Sequence, residues 1–184
     1  MKKLLTITLL FFIICTSSNA QDIFTTNSGK ITFHSKTSMQ DIDATSAKMA
    51  GVLNTKTKQV YFKIQNTSFH FEEKLMEEHF NENYMESDKF PNSEFSGKII
   101  DDIDLSKNGN YKVTIQGWLN IHGVKKEYKV AGVVSVNDGA VALQSNFKVK
   151  LADHKIDIPT LVFAKIAESI EVKLQSNYKS YKKA

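Results

Sequence analysis

The sequence predicts an all-β protein, an eight-stranded antiparallel barrel with one short helix in a connection. Three observations predict it. Apolar and polar residues alternate with period two over most of the chain, several alternating runs are long, and one segment alone breaks the period. Period two is the mark of strands that are buried on one face only. Runs of about 10–14 residues exceed the usual five or six, and long strand edges left open to water invite aggregation, so closure into a barrel is expected.

The strands follow in order. Ile31 and Phe33 alternate with Thr32 and His34, and Met49, Gly51 and Leu53 mark a second strand. A polar turn at Asn54–Lys58 leads to Val60, Phe62 and Ile64, set against Tyr61, Lys63 and Gln65. From Glu72 to Phe80 the apolar residues are Leu75, Met76 and Phe80 with charges between them, a spacing that suits a short helix. That helix must stop before Pro91. Phe95, Gly97 and Ile99 then alternate with Ser96, Lys98 and Ile100 up to the acidic turn Asp101-Asp102.

The second half is more regular. Tyr111, Val113, Ile115, Gly117, Leu119 and Ile121 share one face, with Trp118 and His122 on the other. After Gly123 the inward set is Tyr128, Val130, Gly132, Val134 and Val136. Asn137-Asp138-Gly139 is a hairpin signal. Val141, Leu143, Ser145, Phe147, Val149 and Leu151 follow, and Ile170, Val172 and Leu174 close the series. The interior of an eight-stranded barrel holds side chains or one slender ligand. The pattern leaves open a lumen packed shut and one that holds an apolar guest.

Residues 1–20 read as a secretory signal peptide: Lys2 and Lys3, an apolar run from Leu4 to Ile14, then Ser18-Asn19-Ala20 as a cleavage site. The run of roughly 11 residues is too short to span a bilayer, which needs about 20. Cleavage near Ala20 would leave residues 21–184 as one domain, periplasmic or secreted. Cys15 is the single cysteine and would leave with the signal. The mature chain would then have neither disulfide nor thiol chemistry. Ile14 stands where a lipoprotein signal needs a small residue before its cysteine.

The charge of +4 falls to +2 once Lys2 and Lys3 are removed, and basic residues cluster only in the tail at Lys179, Lys182 and Lys183. This is no nucleic-acid signature. The histidines, His34, His70, His79, His122 and His154, form no pair at metal-ligand spacing. Glu77, Glu78 and Glu82 read as the solvated face of the short helix. No nucleophile elbow or phosphate-binding glycine loop is present, and no cofactor is expected. Nothing in these residues supports catalysis, and the protein is expected not to be an enzyme. The alternative is an unspecified activity on an amphiphile through His122 or His154.

Two stretches resemble the YceI-like family of bacterial polyisoprenoid-binding proteins. Leu75 to Pro91, followed by Phe95, is similar to the family's leucine, aromatics, acidic stretch, aromatic-proline pair and strand-opening phenylalanine. Val113 to Lys126 is similar to its glycine, leucine, aliphatic, glycine-valine strand pair, and Gly29 through Ala44 also fits. The resemblance implies a lipocalin-like barrel with a long hydrophobic channel, a long-chain isoprenoid or similar lipid as ligand, a periplasmic place, and transient membrane contact for loading. Lys150–Ile156 departs from the pattern, since members often carry arginine and glycine there. The candidate ligand contacts are Phe33, Phe62, Ile64, Phe95, Ile115 and Phe147, inward by parity, with Leu75, Met76 and Phe80 at the mouth.

Overall fold

The computed structural model describes residues 22–158 and 166–181. The expected signal peptide lies outside them. Among the described residues nine strands are present: β1 (Ile23–Lys36), β2 (Asp41–Asn54), β3 (Gln59–Gln65), β4 (His70–Phe71), β5 (Asn92–Ile99), β6 (Gly109–Ile121), β7 (Val124–Asn137), β8 (Ala140–Lys150) and β9 (Ser169–Ser180). Helix α1 (Lys74–His79) runs into a wider turn at Phe80–Tyr84.

Eight of the strands close an antiparallel barrel in the order β1-β9-β8-β7-β6-β5-β3-β2, with β2 returning to β1. Closure removes the open edges that strands of this length would expose. The two-residue β4 is the extra piece. It pairs with β2 at Ala44 and Thr45, whereas β3 pairs with β2 only from Ala50 to Leu53. Along its length β2 therefore changes partner, and β4 fills the upper part of the gap.

The two tightest hairpins have a backbone cause. Asp138-Gly139 joins β7 to β8 with positive φ at both residues (46° and 80°), and His122-Gly123 joins β6 to β7 in the same way (51° and 69°). Two consecutive positive φ angles match the right-handed strand twist in a two-residue loop.

Inward positions follow the alternation read from the sequence: Val60, Phe62 and Ile64 are buried on β3, and Val113, Ile115 and Leu119 on β6. On β1 the parity slips. Thr26 and Gly29 both point inward, across a register shift in the β1–β2 ladder. On β2 Ser46 and Met49 are likewise both inward. A bulge adds one residue and flips the faces beyond it.

The two ends of the barrel differ. At the lower end, Phe24, Leu53, Val60, Leu105, Val136, Val141 and Tyr178 pack into the core. At the upper end lie the β1–β2 turn and the two long connections, 66–91 and the described parts, 151–158 and 166–168, of the one after β8. Buried Asn66 pins the first of these. Its backbone N–H donates to the Pro91 carbonyl (2.9 Å) and Nδ2 to the Phe90 carbonyl (2.6 Å), while Oδ1 accepts from Ser93 Oγ (2.8 Å). A second apolar cluster, Met85, Leu151 and Ile156, joins the two connections.

Candidate ligand-binding lumen

The barrel encloses a cavity of about 190 Å³ whose wall is almost wholly apolar. Phe33 on β1, Phe62 and Ile64 on β3, Phe95 on β5, Ile115 on β6 and Phe147 on β8 all line it. Met76 and Phe80 line it from the connection above. Leu75 does not: it is 59% exposed. The reason is helical geometry. Met76 and Phe80, four residues apart, share one face, and Leu75 is rotated off it by about 100°.

The upper end carries a cluster that parity on the long strands does not reveal. Phe33 meets Phe69 (ring centroids 5.3 Å apart), Phe71 (5.6 Å) and Phe80 (5.5 Å), and Phe71 meets Phe80 at 5.1 Å. These separations are in the range where aromatic pairs attract. Phe71 lies in β4, too short to show as a strand in the sequence, and Phe69 closes the turn Asn66–Ser68 just before it; their spacing of two was the only trace. Tyr84, Met85 and Tyr128 also line the cavity. Tyr128 belongs to the inward set read on β7, though the sequence did not single it out as a ligand contact.

Polar groups on the wall are few and mostly engaged. Ser145 Oγ donates to the Ala131 carbonyl (2.7 Å), and Ser35 Oγ accepts the Ala167 N–H (2.9 Å). Lys63 and Glu94 pair at 3.2 Å, both partly exposed. Among the described residues no histidine lines the cavity, and Glu94 is its only carboxylate. No group of three or more His, Cys, Asp or Glu residues stands ready to hold a metal among them. Among the described residues Lys63–Glu94 is thus the one pair of opposite charge on the wall.

Just outside the wall, the left-handed φ of His122 turns its ring onto Phe90 (centroids 4.7 Å apart) and sets Nε2 3.0 Å from Glu86 Oε2. Hydrogen bonding from Lys89, then from His122, holds the Glu86 carboxyl below the usual carboxylate range. His122 Nδ1 donates to the His154 carbonyl (3.2 Å). The two histidines named in the alternative reading thus meet through one backbone carbonyl. Each binds protein groups.

The family model of the YceI-like domain matches residues 17–178. The chain belongs to the YceI-like family. Solved structures share its fold. A polyisoprenoid-binding domain from Saccharophagus degradans, implicated in plant cell wall breakdown, aligns with a TM-score of 0.75 at 15% identity over 88% of this chain and 99% of its own. Burkholderia cenocepacia BcnA aligns at 0.70 and 15% identity, over 82% and 95%. The Campylobacter jejuni YceI protein aligns at 0.61 and 18%, over 76% and 85%. No curated protein matches the chain. This YceI-like protein has no helix among its described residues that is long and apolar enough to cross a membrane.

Proposed function

We propose that this YceI-like protein is a non-enzymatic, exported carrier or store of a polyisoprenoid or similar long-chain amphiphile, held in the barrel lumen. The observation that carries the reading is the apolar cavity itself, walled by phenylalanine and aliphatic side chains inside a closed sheet. Family membership and the polyisoprenoid-binding neighbour from S. degradans support the ligand class. Each CH₂ taken from water contributes about 0.8 kcal/mol, so a long prenyl chain has a large drive to enter. Such a chain cannot cross an aqueous compartment alone, and loading would bring the upper end to a bilayer.

The volume sets a condition on this reading. An apolar cavity of about 150 Å³ takes one benzene, so about 190 Å³ holds on the order of two isoprene units. A longer chain needs the wall to open. Phe33, Phe69, Phe71 and Phe80 are the side chains placed to part, since Phe71 and Phe80 are only half-buried. Met49, Met76 and Met85 on the wall can re-pack by rotamer change.

The test is mass spectrometry of an organic extract of the protein purified from its native host, with titration of a fluorescent polyene. A prenyl lipid in the extract and saturable polyene binding are expected. An empty extract and no binding would favour a packed-shut barrel that serves as a partner-binding module. The mass of the exported chain is expected to correspond to a start at Gln21; an uncleaved chain would overturn the export reading.

A further inference from the structure

The barrel wall is not laddered all the way round. β2 pairs with β3 as far as Ala50 and Lys63, and with β4 at Thr45 and His70. Among the described residues the edge of 46–49 that faces β3 therefore has no strand partner. Residues 64–69 form the opposite lip of this seam. Met49 on one lip and Ile64, Asn66 and Phe69 on the other line the cavity, while Ala47, Lys48, Gln65 and Thr67 beside them are exposed. Along the seam side chains, without a main-chain ladder, part the cavity from water.

One side-chain hydrogen bond crosses it among the described residues. Ser68 Oγ donates to the Gln65 carbonyl (2.6 Å), which commits its single hydrogen. In the 2.7 Å contact between the two buried hydroxyls, Ser46 Oγ must then be the donor to Ser68 Oγ. The segment 66–71 is fastened unequally. At Asn66 it is bonded to Pro91, Phe90 and Ser93. Along β2 it has the bond from Ser46 and the two-residue ladder to Ala44 and Thr45. A neutral hydrogen bond adds little net stability, because water replaces it on breaking. The segment is thus a flap hinged at Asn66 and latched by Ser46, and it carries Phe69 and Phe71. β7 and β8 also part, above Gly132 and Ser145. There the turn after β8 bridges back to β7 through fully buried His154, whose Nδ1 lies 3.0 Å from the Val124 carbonyl and Nε2 3.0 Å from Tyr128 Oη.

We propose that the seam between β2 and the 66–71 flap is a side port of the lumen, through which the tail of a prenyl chain longer than the cavity passes once the Ser46 latch opens. This rests on the lumen-binding reading above and names where the wall gives way. A chain entering from the upper end cannot continue downward, because the lower end is packed core; the seam lies beside its path. Met49 leans onto β1, since a Cβ on Gly29 would lie 2.2 Å from its Cε, and its thioether side chain re-packs readily. Outside, Val52 and Tyr61 face each other just below the seam, and both are among the large apolar side chains that the barrel exposes. They give an emerging tail an apolar surface to lie on.

The experiment compares geraniol, which the closed cavity can hold, with geranylgeraniol, twice as long. Both are titrated into the full mature chain and its Ser46→Cys/Ser68→Cys double variant. Expressed from Gln21 the chain has no other cysteine, and side chains in hydrogen-bond contact are close enough to form a disulfide. Oxidised, the variant is expected to bind geraniol as wild type does and geranylgeraniol about tenfold or more weakly; reduction is expected to restore the long ligand. Unchanged geranylgeraniol binding in the oxidised variant overturns the proposal. Equal loss of both ligands also overturns it, because the flap would then be a lid over the whole cavity. If the crosslink does not form, Ser46→Ala decides. It should speed association of geranylgeraniol several-fold and leave that of geraniol unchanged, and equal effects on the two overturn the port. If wild type binds neither alcohol, the lumen reading itself fails and this one falls with it.

Discussion

Gly97 and Gly117 face each other across the β5–β6 ladder, and the Phe95 ring lies against both. A Cβ built on Gly117 would sit 2.4 Å from Gly97 Cα and 2.8 Å from Phe95 Cζ. The glycine pair leaves the hollow into which this cavity-lining ring folds. Gly117→Ala is therefore expected to destabilise the barrel by about 1–3 kcal/mol through overpacking and to push Phe95 toward the lumen. Chemical denaturation measures the first effect and polyene affinity the second. A loss under about 0.5 kcal/mol with unchanged affinity would show that the ladder relaxes around the new methyl group.

The aromatic cluster at the upper end yields a kinetic prediction. If Phe80 must move before a long chain enters, Phe80→Ala will speed association of a long polyene several-fold more than that of a ligand of about ten carbons. The stability cost should fall below the ~3–5 kcal/mol typical of a fully buried phenylalanine, because Phe80 is half-buried. Stopped-flow fluorescence compares the two rates. Equal acceleration for both ligands would show that Phe80 narrows the lumen without gating it.

His154 gives a pH dependence with a definite sign. Burial keeps its folded-state value below the ordinary one, so the unfolded chain takes up a proton near pH 6.5 while the fold still resists it. Between those two values the unfolded state binds more protons, and stability falls as pH falls. Thermal melts should therefore be level above about pH 7 and decline from about pH 6.5 downward. His154→Gln should flatten that part of the profile. A melting temperature that holds steady from pH 7 to pH 5 would contradict the buried neutral ring.

Tyr178, at the lower end, is 2% exposed, and its hydroxyl makes no hydrogen bond of good geometry among the described residues, Ser176 offering at most a weak one. An unpaired buried hydroxyl costs about 1–3 kcal/mol. Tyr178→Phe removes it and keeps the ring, so the variant should be more stable by about 1 kcal/mol or more. Urea denaturation decides the matter; a destabilised variant would reveal a bond this arrangement does not contain.

Much of the wall was legible from alternation, because on β3 and β6 one face is apolar throughout and on β5 and β8 a single serine, Ser93 or Ser145, interrupts it. Phe62, Ile64, Phe95, Ile115 and Phe147 follow from counting by two. The early parts of β1 and β2 were not legible. Bulges shift their parity between Thr26 and Gly29 and between Ser46 and Met49, and the inward positions there include Ala44, Ser46 and Thr26. Small or hydroxylated residues on a displaced face erase the periodic signal. Leu75 was placed at the mouth by hydrophobicity, whereas helix phase turns it to solvent. Phe69 and Phe71 escaped because a turn and a two-residue strand are too short for any period.

The sequence by itself determined the class of fold, the faces of the long strands and the apolar character of the interior, since each follows from contacts between near neighbours and from the period of the pleat. Tertiary structure alone decided how wide the lumen is, which four phenylalanines meet at its upper end, and that Tyr128 reaches His154 from 26 positions away. Those outcomes depend on loops and strands distant in the chain coming to one place. Local alternation carries no record of that meeting.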